Sequence, residues 1–517
     1  MKPRRIQSGI VTFPYSKACQ LGKNRYYRPH GVVWLDFSPP STLPTLTHAR
    51  TMFRKTSIII TLGPATDSPE RLGELIDAGV NVFRLNMSHA QHDWCRSAVH
   101  NIRRIAEEKG KHAAILFDLQ GPSIRTGDLD EPYELSIGDR FEIRKQSAQA
   151  TIPFSTTVNY EGMMDDVAEG ATLVVDNGTM LMEIEKKEDD RLICEVLTAG
   201  KIGNRRHINL PGTRLNLPAL TEKDHLDLAV AVECKADFIA GSFVRDAAHV
   251  NELRTEMEKI GGDAQLVSKV EDQEAIKNID DIILASDVIM IARGDLGIEV
   301  HVEELPIIQR RITKRCHVLG RRVIVATHML ESMITNPTPT RAEVTDVSTA
   351  VYEEADAIML SGETSVGDHP IRCVETLVRI AKRMERSGSI GNGKLAVLES
   401  DKQKVVSAAL TLADSIPDSE IVVFTRKGIM AVQCALLRPT TNIHAFAPDS
   451  ETCRKLALAR GIEPNTIPFY DDPLNTINHA VDYMREKNLV VEGTPLIVVS
   501  DTLRKSKMVD SILLIYA

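Results

Sequence analysis

From Met52 onward, short apolar runs alternate with helix-length amphipathic stretches, the pattern of βα units around a parallel sheet. The apolar runs are Ser57–Thr61, Asn81–Asn86, Ala113–Asp118, Asp237–Ser242, Leu266–Glu271, Val288–Ala292, Arg322–Thr327 and Ala357–Ser361. Eight such runs predict a (β/α)8 barrel. Between them, helices are expected over Pro69–Ala78, Trp94–Lys109, Ala247–Ile260, Glu304–Leu319 and Arg372–Arg386. The third and fourth runs are too far apart for one helix. The intervening segment, residues 123–211, is rich in Val, Ile and Thr, with turn signals at Asp176-Asn177-Gly178 and Gly200–Gly203. It reads as a small β-domain inserted in a barrel loop. Beyond the Gly/Ser-rich break at Ser387–Lys394 the alternation restarts, with runs Ile421–Thr425, Asn442–Ala447, Thr466–Phe469 and Pro495–Ser500. The expected division is therefore 52–122 and 212–390 for the barrel, 123–211 for the insert, and 391–517 for a C-terminal α/β domain.

Composition narrows the class without naming a chemistry. A chain of 517 residues is long enough for about three domains. Its 43% apolar and 26% charged residues fit a folded globular chain. A net charge of −9 offers no footprint for nucleic acid or anionic membrane, and no apolar run approaches a membrane span. The eight cysteines are scattered, which suggests reduced thiols and a cytoplasmic setting. Residues 1–51 depart from this average, with eight Lys or Arg and Asp36 as the sole acid. Such a composition resembles an organellar transit peptide. The reading favoured here is a non-core extension, since Met52 stands just before the first strand-like run.

Polar residues end nearly every barrel run: Thr61, Arg84 and Asn86, Asp118, Ser242, Lys269 and Glu271, Asp295, Thr327 and Ser361. In such barrels the active site lies at the C-terminal strand ends, so these side chains converge on one cleft. Glu271 and Asp295 are hard oxygen ligands suited to Mg²⁺ or Mn²⁺; the competing reading is an ion pair with Lys269 or Arg293. Gly294 and Gly297 let backbone N–H groups approach an anion. Lys269 beside a metal can neutralise developing enolate or phosphoryl charge, and Arg84 and Arg125 present planar forks to phosphate. The cleft suits a small phosphorylated acid with a divalent metal.

Long motifs then identify a resemblance. Thr61-Leu-Gly-Pro-Ala65, Arg84-Leu-Asn-Met-Ser-His89, Gly121-Pro122, Ile124-Arg-Thr-Gly127, Asn209-Leu-Pro-Gly212, Ser268-Lys-Val-Glu271 and Ala292-Arg-Gly-Asp-Leu-Gly-Ile-Glu299 resemble the pyruvate kinase family. So do Met329-Leu-Glu-Ser-Met333, Pro339-Thr-Arg-Ala-Glu343 and Leu360-Ser-Gly-Glu-Thr364, in the family's order from about Lys55 to the C-terminus. The resemblance implies a TIM barrel, an inserted β-barrel lid and a C-terminal regulatory domain. It implies Mg²⁺-dependent phosphoryl transfer from phosphoenolpyruvate to ADP, giving pyruvate and ATP, in a homotetramer. By the family pattern Arg84 and Arg125 hold the transferring phosphoryl group, and Lys269 stabilises its charge and the enolate. Glu271 and Asp295 bind the metal, with Gly294 and Thr327 at the substrate carboxylate. Asn86, His89, Arg125 and Arg206 lie on the nucleotide side, and Thr327 and Ser361 sit near the water that protonates the enolate.

Three departures stand out. Asn86, Ser88 and Asp118 resemble a K⁺ site, but Leu119 replaces the threonine ligand of potassium-requiring members. Ser123 supplies neither their Glu nor the Lys of potassium-independent ones. His328 replaces a usual Gln, either altering proton delivery or resting among neighbours that satisfy it. Thr425-Arg-Lys-Gly428 keeps part of an effector loop, while Ser500–Lys507 lacks the glycines of its partner, so sugar-bisphosphate activation is not implied. The basic residues there either bind another phosphorylated effector or form a solvated loop. Alternatives left open are a non-catalytic paralogue and another metal-enolate barrel enzyme.

Overall fold

The computed structural model describes residues 53–176, 178–504 and 507–517. The extension expected over 1–51, Cys19 and Asn177 of the expected turn lie outside the described residues. Eight parallel strands close the barrel: Ser57–Thr61, Val82–Asn86, Ala114–Asp118, Phe238–Gly241, Gln265–Val270, Val288–Ala292, Arg322–Ala326 and Ala357–Leu360. All eight expected runs are strands, each within one or two residues of its expected ends. The polar residue ending several runs falls just past the last paired position, where the chain turns into the loop. Alternate strand residues divide between two cores. Ile59, Val82, Leu116, Val267, Met290 and Ile324 fill the bore. Ile58, Ile60, Phe83, Leu85 and Ile115 face the surrounding helices. Both faces are buried, which is why these strands read as continuous apolar runs.

Between residues 123 and 211 a six-stranded sheet and a two-stranded ribbon enclose a separate core built on Phe141, Ile143, Leu173, Met182 and Val196. One expectation fails here. Gly200–Ile202, read as part of a turn, is a strand antiparallel to Tyr133–Leu135. A Cβ on Gly200 would lie 2.9 Å from Met180 Cγ, so the glycine serves close packing rather than a turn.

The C-terminal sheet has four parallel strands and one antiparallel, in spatial order Ile462–Thr466, Ile443–Ala447, Glu420–Phe424, Pro495–Arg504, Lys507–Tyr516. The third expected run, Thr466–Phe469, is not a strand. The chain pairs earlier, over Ile462–Thr466, at the sheet edge where Pro464 is tolerated. Ile467 instead packs in the core under helix Pro473–Glu486. Thr425, Arg426 and Lys427 line a cavity of about 240 Å³, and the two basic residues are exposed, as a solvated loop requires, with Arg426 over the Phe469 ring at 5.1 Å.

This domain closes the barrel's N-terminal end. Ala457 and Leu458 enter the bore core. Arg438 grips Asp356 through two bonds of 2.6 Å, and Arg454 Nε donates to Asp237 Oδ1 at 2.9 Å. The opposite end is left for chemistry.

In the C-terminal sheet, buried His444 lies between Glu420 and Glu463, at 3.5 and 3.2 Å. Burial opposes its charge, but the two carboxylates overcome that and raise its pKa to about 9. A folded pKa above the unfolded value gives stability that is full below about pH 6.5 and lost as pH rises through 9. We expect His444→Gln to lose on the order of 2–3 kcal/mol at pH 6 and little at pH 10. Equal losses in chemical denaturation at both pH values would refute this charge.

Candidate active site

At the open end, Lys269 is the centre. Its Nζ donates to Ser242 Oγ at 2.6 Å and lies 2.9 Å from Glu271 Oε1 and 3.3 Å from Asp118 Oδ1. Strand pairing sets this up, because the fourth barrel strand carries Ser242 between the strands bearing Asp118 and Lys269. Burial disfavours the ammonium, yet the Asp118 and Glu271 charges outweigh it and raise the Lys269 pKa. Arg84 Nε donates to Asp118 Oδ2 at 2.6 Å, and its Nη1 to Thr61 Oγ1 at 2.9 Å. Asp118 is buried, but Lys269 and Arg84 overcome that cost and hold its carboxyl below the usual range.

Glu271 accepts the Phe243 N–H at 2.6 Å through Oε2, while the buried Oε1 faces the Lys269 ammonium. Burial, reinforced by the Asp295 charge, outweighs Lys269 and pushes the Glu271 carboxyl up to about 7. The expected alternative pairing is thus half right. Glu271 pairs with Lys269, but Arg293 pairs with Asp346 at 2.7 Å, not with Glu271 or Asp295. Arg293 instead fixes the neighbouring loop, donating to Thr327 O at 2.6 Å and Ala326 O at 3.2 Å.

That loop is strained. Thr327 and His328 have φ of 68° and 55°, a region costly for a β-branched residue. The Thr327 hydroxyl accepts the Gly294 N–H at 2.8 Å and donates to Ala326 O at 2.6 Å. A Cβ on Gly294 would sit 3.6 Å from that hydroxyl and 3.7 Å from His328 Cε1, so the glycine leaves a concavity between strands six and seven. His328 is exposed rather than enclosed by neighbours. Ser361 donates its N–H to the buried Glu363 at 2.7 Å, and Glu363 also accepts from Leu330 N, tying two strand-end loops together.

Asn86 ends the second strand opposite Asp118, and its Oδ1 accepts the Ser88 N–H at 3.2 Å. His89 is exposed just beyond. Leu119 is 2% exposed, with an apolar side chain that offers nothing to a cation.

The remaining cations sit at the root of the insert. Arg125 donates to Ser123 Oγ at 3.2 Å and Arg205 O at 3.1 Å, and Arg206 lies 3.3 Å from Asp176. Neither joins the Lys269 cluster by a hydrogen bond. The Arg125 backbone pairs antiparallel with His207, whose Nδ1 is 3.9 Å from Asp295 Oδ1 and whose ring meets Phe243 edge-on. Burial, aided by Arg125, lowers the His207 pKa. Sequence reasoning missed His207, Phe243 and Asp346. Only His207 carried a signal, standing next to Arg206.

The chain matches two family models: "Pyruvate kinase, barrel domain" over residues 53–374 and "Pyruvate kinase, alpha/beta domain" over residues 403–515. The chain belongs to the pyruvate kinase family. It is therefore a phosphotransferase of glycolysis by family. It is 38% identical over 453 residues to plastidial pyruvate kinase 2 of Arabidopsis thaliana, covering 87% of this chain and 78% of that one. A pyruvate kinase of Geobacillus stearothermophilus is 37% identical over 461 residues, covering 86% and 77%. The crystal structure of a pyruvate kinase from Cryptosporidium parvum superposes with a TM-score of 0.84 at 32% identity, covering 89% of this chain and 96% of that one. Among the described residues no helix is long and apolar enough to cross a membrane.

Proposed function

We propose that this cleft transfers the phosphoryl group of phosphoenolpyruvate to ADP, with Arg84 and Arg125 holding that group and Lys269 opposing the charge left on the enolate. The observation that carries this reading is Lys269 itself, clamped in the charged state between two buried carboxylates beside Arg84. Its ammonium and the Arg84 guanidinium face oxygens that gain negative charge as the phosphoryl group leaves, so stabilisation grows along the reaction. ADP enters from the side of Asn86, His89 and Arg206. The insert acts as a lid that excludes water from the phosphoryl group. Gly294 and Thr327 receive the substrate carboxylate, the strained loop holding the Gly294 N–H and the Thr327 hydroxyl in place. Ser361 and Thr327 border the water that protonates the enolate.

A divalent ion fits the donor set. Glu271 Oε1 and Asp118 Oδ1 are buried and meet only the Lys269 ammonium, at 2.9 and 3.3 Å, so each keeps acceptor capacity for a cation, and Asp295 is half-exposed nearby. Among the described residues no group of three or more His, Cys, Asp or Glu is arranged as a closed metal cage. Two carboxylates leave room for substrate and water, as Mg²⁺ or Mn²⁺ prefers. Bound by Glu271 and Asp295, that ion supplies positive charge to the phosphoryl and enolate oxygens. K⁺ fits less well, because Leu119 offers no oxygen and Asp118 already faces Arg84 and Lys269.

We expect a coupled assay to show pyruvate formation dependent on phosphoenolpyruvate, ADP and Mg²⁺, changing less than about two-fold on adding K⁺. No ADP-dependent pyruvate with Mg²⁺ would end the kinase reading; a large K⁺ requirement would overturn only the potassium reading. A homotetramer follows from the family resemblance and is checked by sedimentation. The cytoplasm is supported by seven described cysteines that are unpaired, with import through residues 1–51 as the alternative that cell fractionation tests.

A further inference from the structure

Two chain crossings join the insert to the barrel, one leaving beyond Gly121 and one returning through residues 207–217. Both line a single cavity of about 180 Å³, as do Phe243 and the segment following Glu271. One wall is apolar, formed by Ile124, Ile208, Leu210, Leu215 and Leu217. Another wall carries Arg245, which is 5% exposed. Its Nε donates to Asp272 Oδ2 at 3.1 Å, but Nη1 is buried with no hydrogen-bond partner among the described residues. Asn209, also in the lining, donates through Nδ2 to Glu299 Oε1 at 3.1 Å, while its Oδ1 is buried and unpartnered. A guanidinium has five N–H donors, and burying one with donors unused is costly unless an acceptor fills the gap.

We infer that this cavity binds a compact monocarboxylate with an apolar tail of about three to five carbons, its carboxylate on Arg245 and its tail against the leucine wall. Volume, charge and shape set that class. At ~30 Å³ per water the space equals about six waters, room for about six to eight heavy atoms. Asp272, Glu274 and Glu299 share the lining with Arg245, Arg214 and Lys277, and Arg245 and Arg214 already face Asp272 and Glu274, so the lining carries little net charge and suits a monoanion better than a phosphate dianion. Burial pushes the Glu299 carboxyl up to about 7, and its protonated form can donate a hydrogen bond to the bound carboxylate. The apolar wall gives the tail a surface that water gains little by covering.

The position gives the site a consequence. Its walls are the two crossings about which the insert turns, together with Phe243, whose N–H holds Glu271. An occupant therefore braces the hinge of the insert against the loop that orients a metal-binding carboxylate.

The test uses the full chain with Mg²⁺ and phosphoenolpyruvate but no ADP, so that the catalytic cleft is filled. Isovalerate is titrated calorimetrically, with pyruvate, which has a shorter and more polar tail, as comparison. We expect one isovalerate site per chain, and pyruvate about ten-fold weaker. Hydrogen exchange over residues 207–217 should slow about three-fold on binding. Leu215→Phe, which fills the apolar side, and Arg245→Lys, which keeps the charge but loses the fork, should each weaken isovalerate about ten-fold. Leu215→Phe should leave kinase activity unchanged. Absence of binding to the wild type at about 20 mM isovalerate overturns the inference. So does binding that both variants retain within about three-fold, which would place the ligand elsewhere.

Discussion

Lys269→Met is expected to lower kcat by about 10²–10³-fold or more, with a much smaller change in the KM for ADP. The ammonium is the charge aimed at the leaving enolate, and no neighbouring side chain can take its place. Arg84, anchored by Asp118 and Thr61, is engaged with the phosphoryl group, and Ser242 is neutral. Sequence reasoning alone would leave folding untouched by this change. The structure amends that, because Lys269 also neutralises Asp118 and Glu271, both buried. Removing one partner of a buried ion cluster costs about 3–5 kcal/mol. The variant should therefore melt lower and regain part of the loss on adding Mg²⁺, which restores positive charge beside Glu271. Turnover within a few-fold of wild type would remove Lys269 from its role. Lost turnover with an unaltered melting curve would leave the role intact and refute the cluster energetics.

Glu271→Gln is the second large effect. The amide oxygen can still accept the Phe243 N–H now received at 2.6 Å, so the loop geometry should survive. What disappears is the negative charge and the buried anionic Oε1, which now faces Lys269 Nζ at 2.9 Å and would share itself with a metal cation. Mn²⁺ affinity, read by electron paramagnetic resonance, should fall by about 100-fold or more, the effect expected of losing one anionic ligand. Stability should hold or rise, because a buried carboxylate has been neutralised. Wild-type Mn²⁺ affinity in this variant would place the metal elsewhere.

The barrel was legible from sequence because its strands are buried on both faces and so appear as unbroken apolar runs. Strand Ile462–Thr466 was hidden for the opposite reason. It lies at a sheet edge, contains Pro464 and is largely half-buried, so neither propensity nor alternation marks it. The closing strand Lys507–Tyr516 begins among polar residues that mask the hairpin. In the site, the end residue of each strand could be read directly. Their partners could not, since Phe243 contributes a backbone N–H and Asp346 reaches Arg293 from 53 positions away. The strain at Thr327 is likewise invisible, because threonine is disfavoured at the φ it adopts.

The floor of the barrel has a thermodynamic meaning. Asp237 and Asp356 are fully buried, and their counter-ions Arg454 and Arg438 come from the C-terminal domain, as do Ala457 and Leu458 in the bore. If that domain unfolded alone, it would leave two carboxylates without their arginines and open the bore to water. Barrel and C-terminal sheet are thus expected to melt together, in one transition that calorimetry would read. The insert encloses its own core and shares none of these arginine–carboxylate pairs, so it alone can swing or loosen while the rest stays folded.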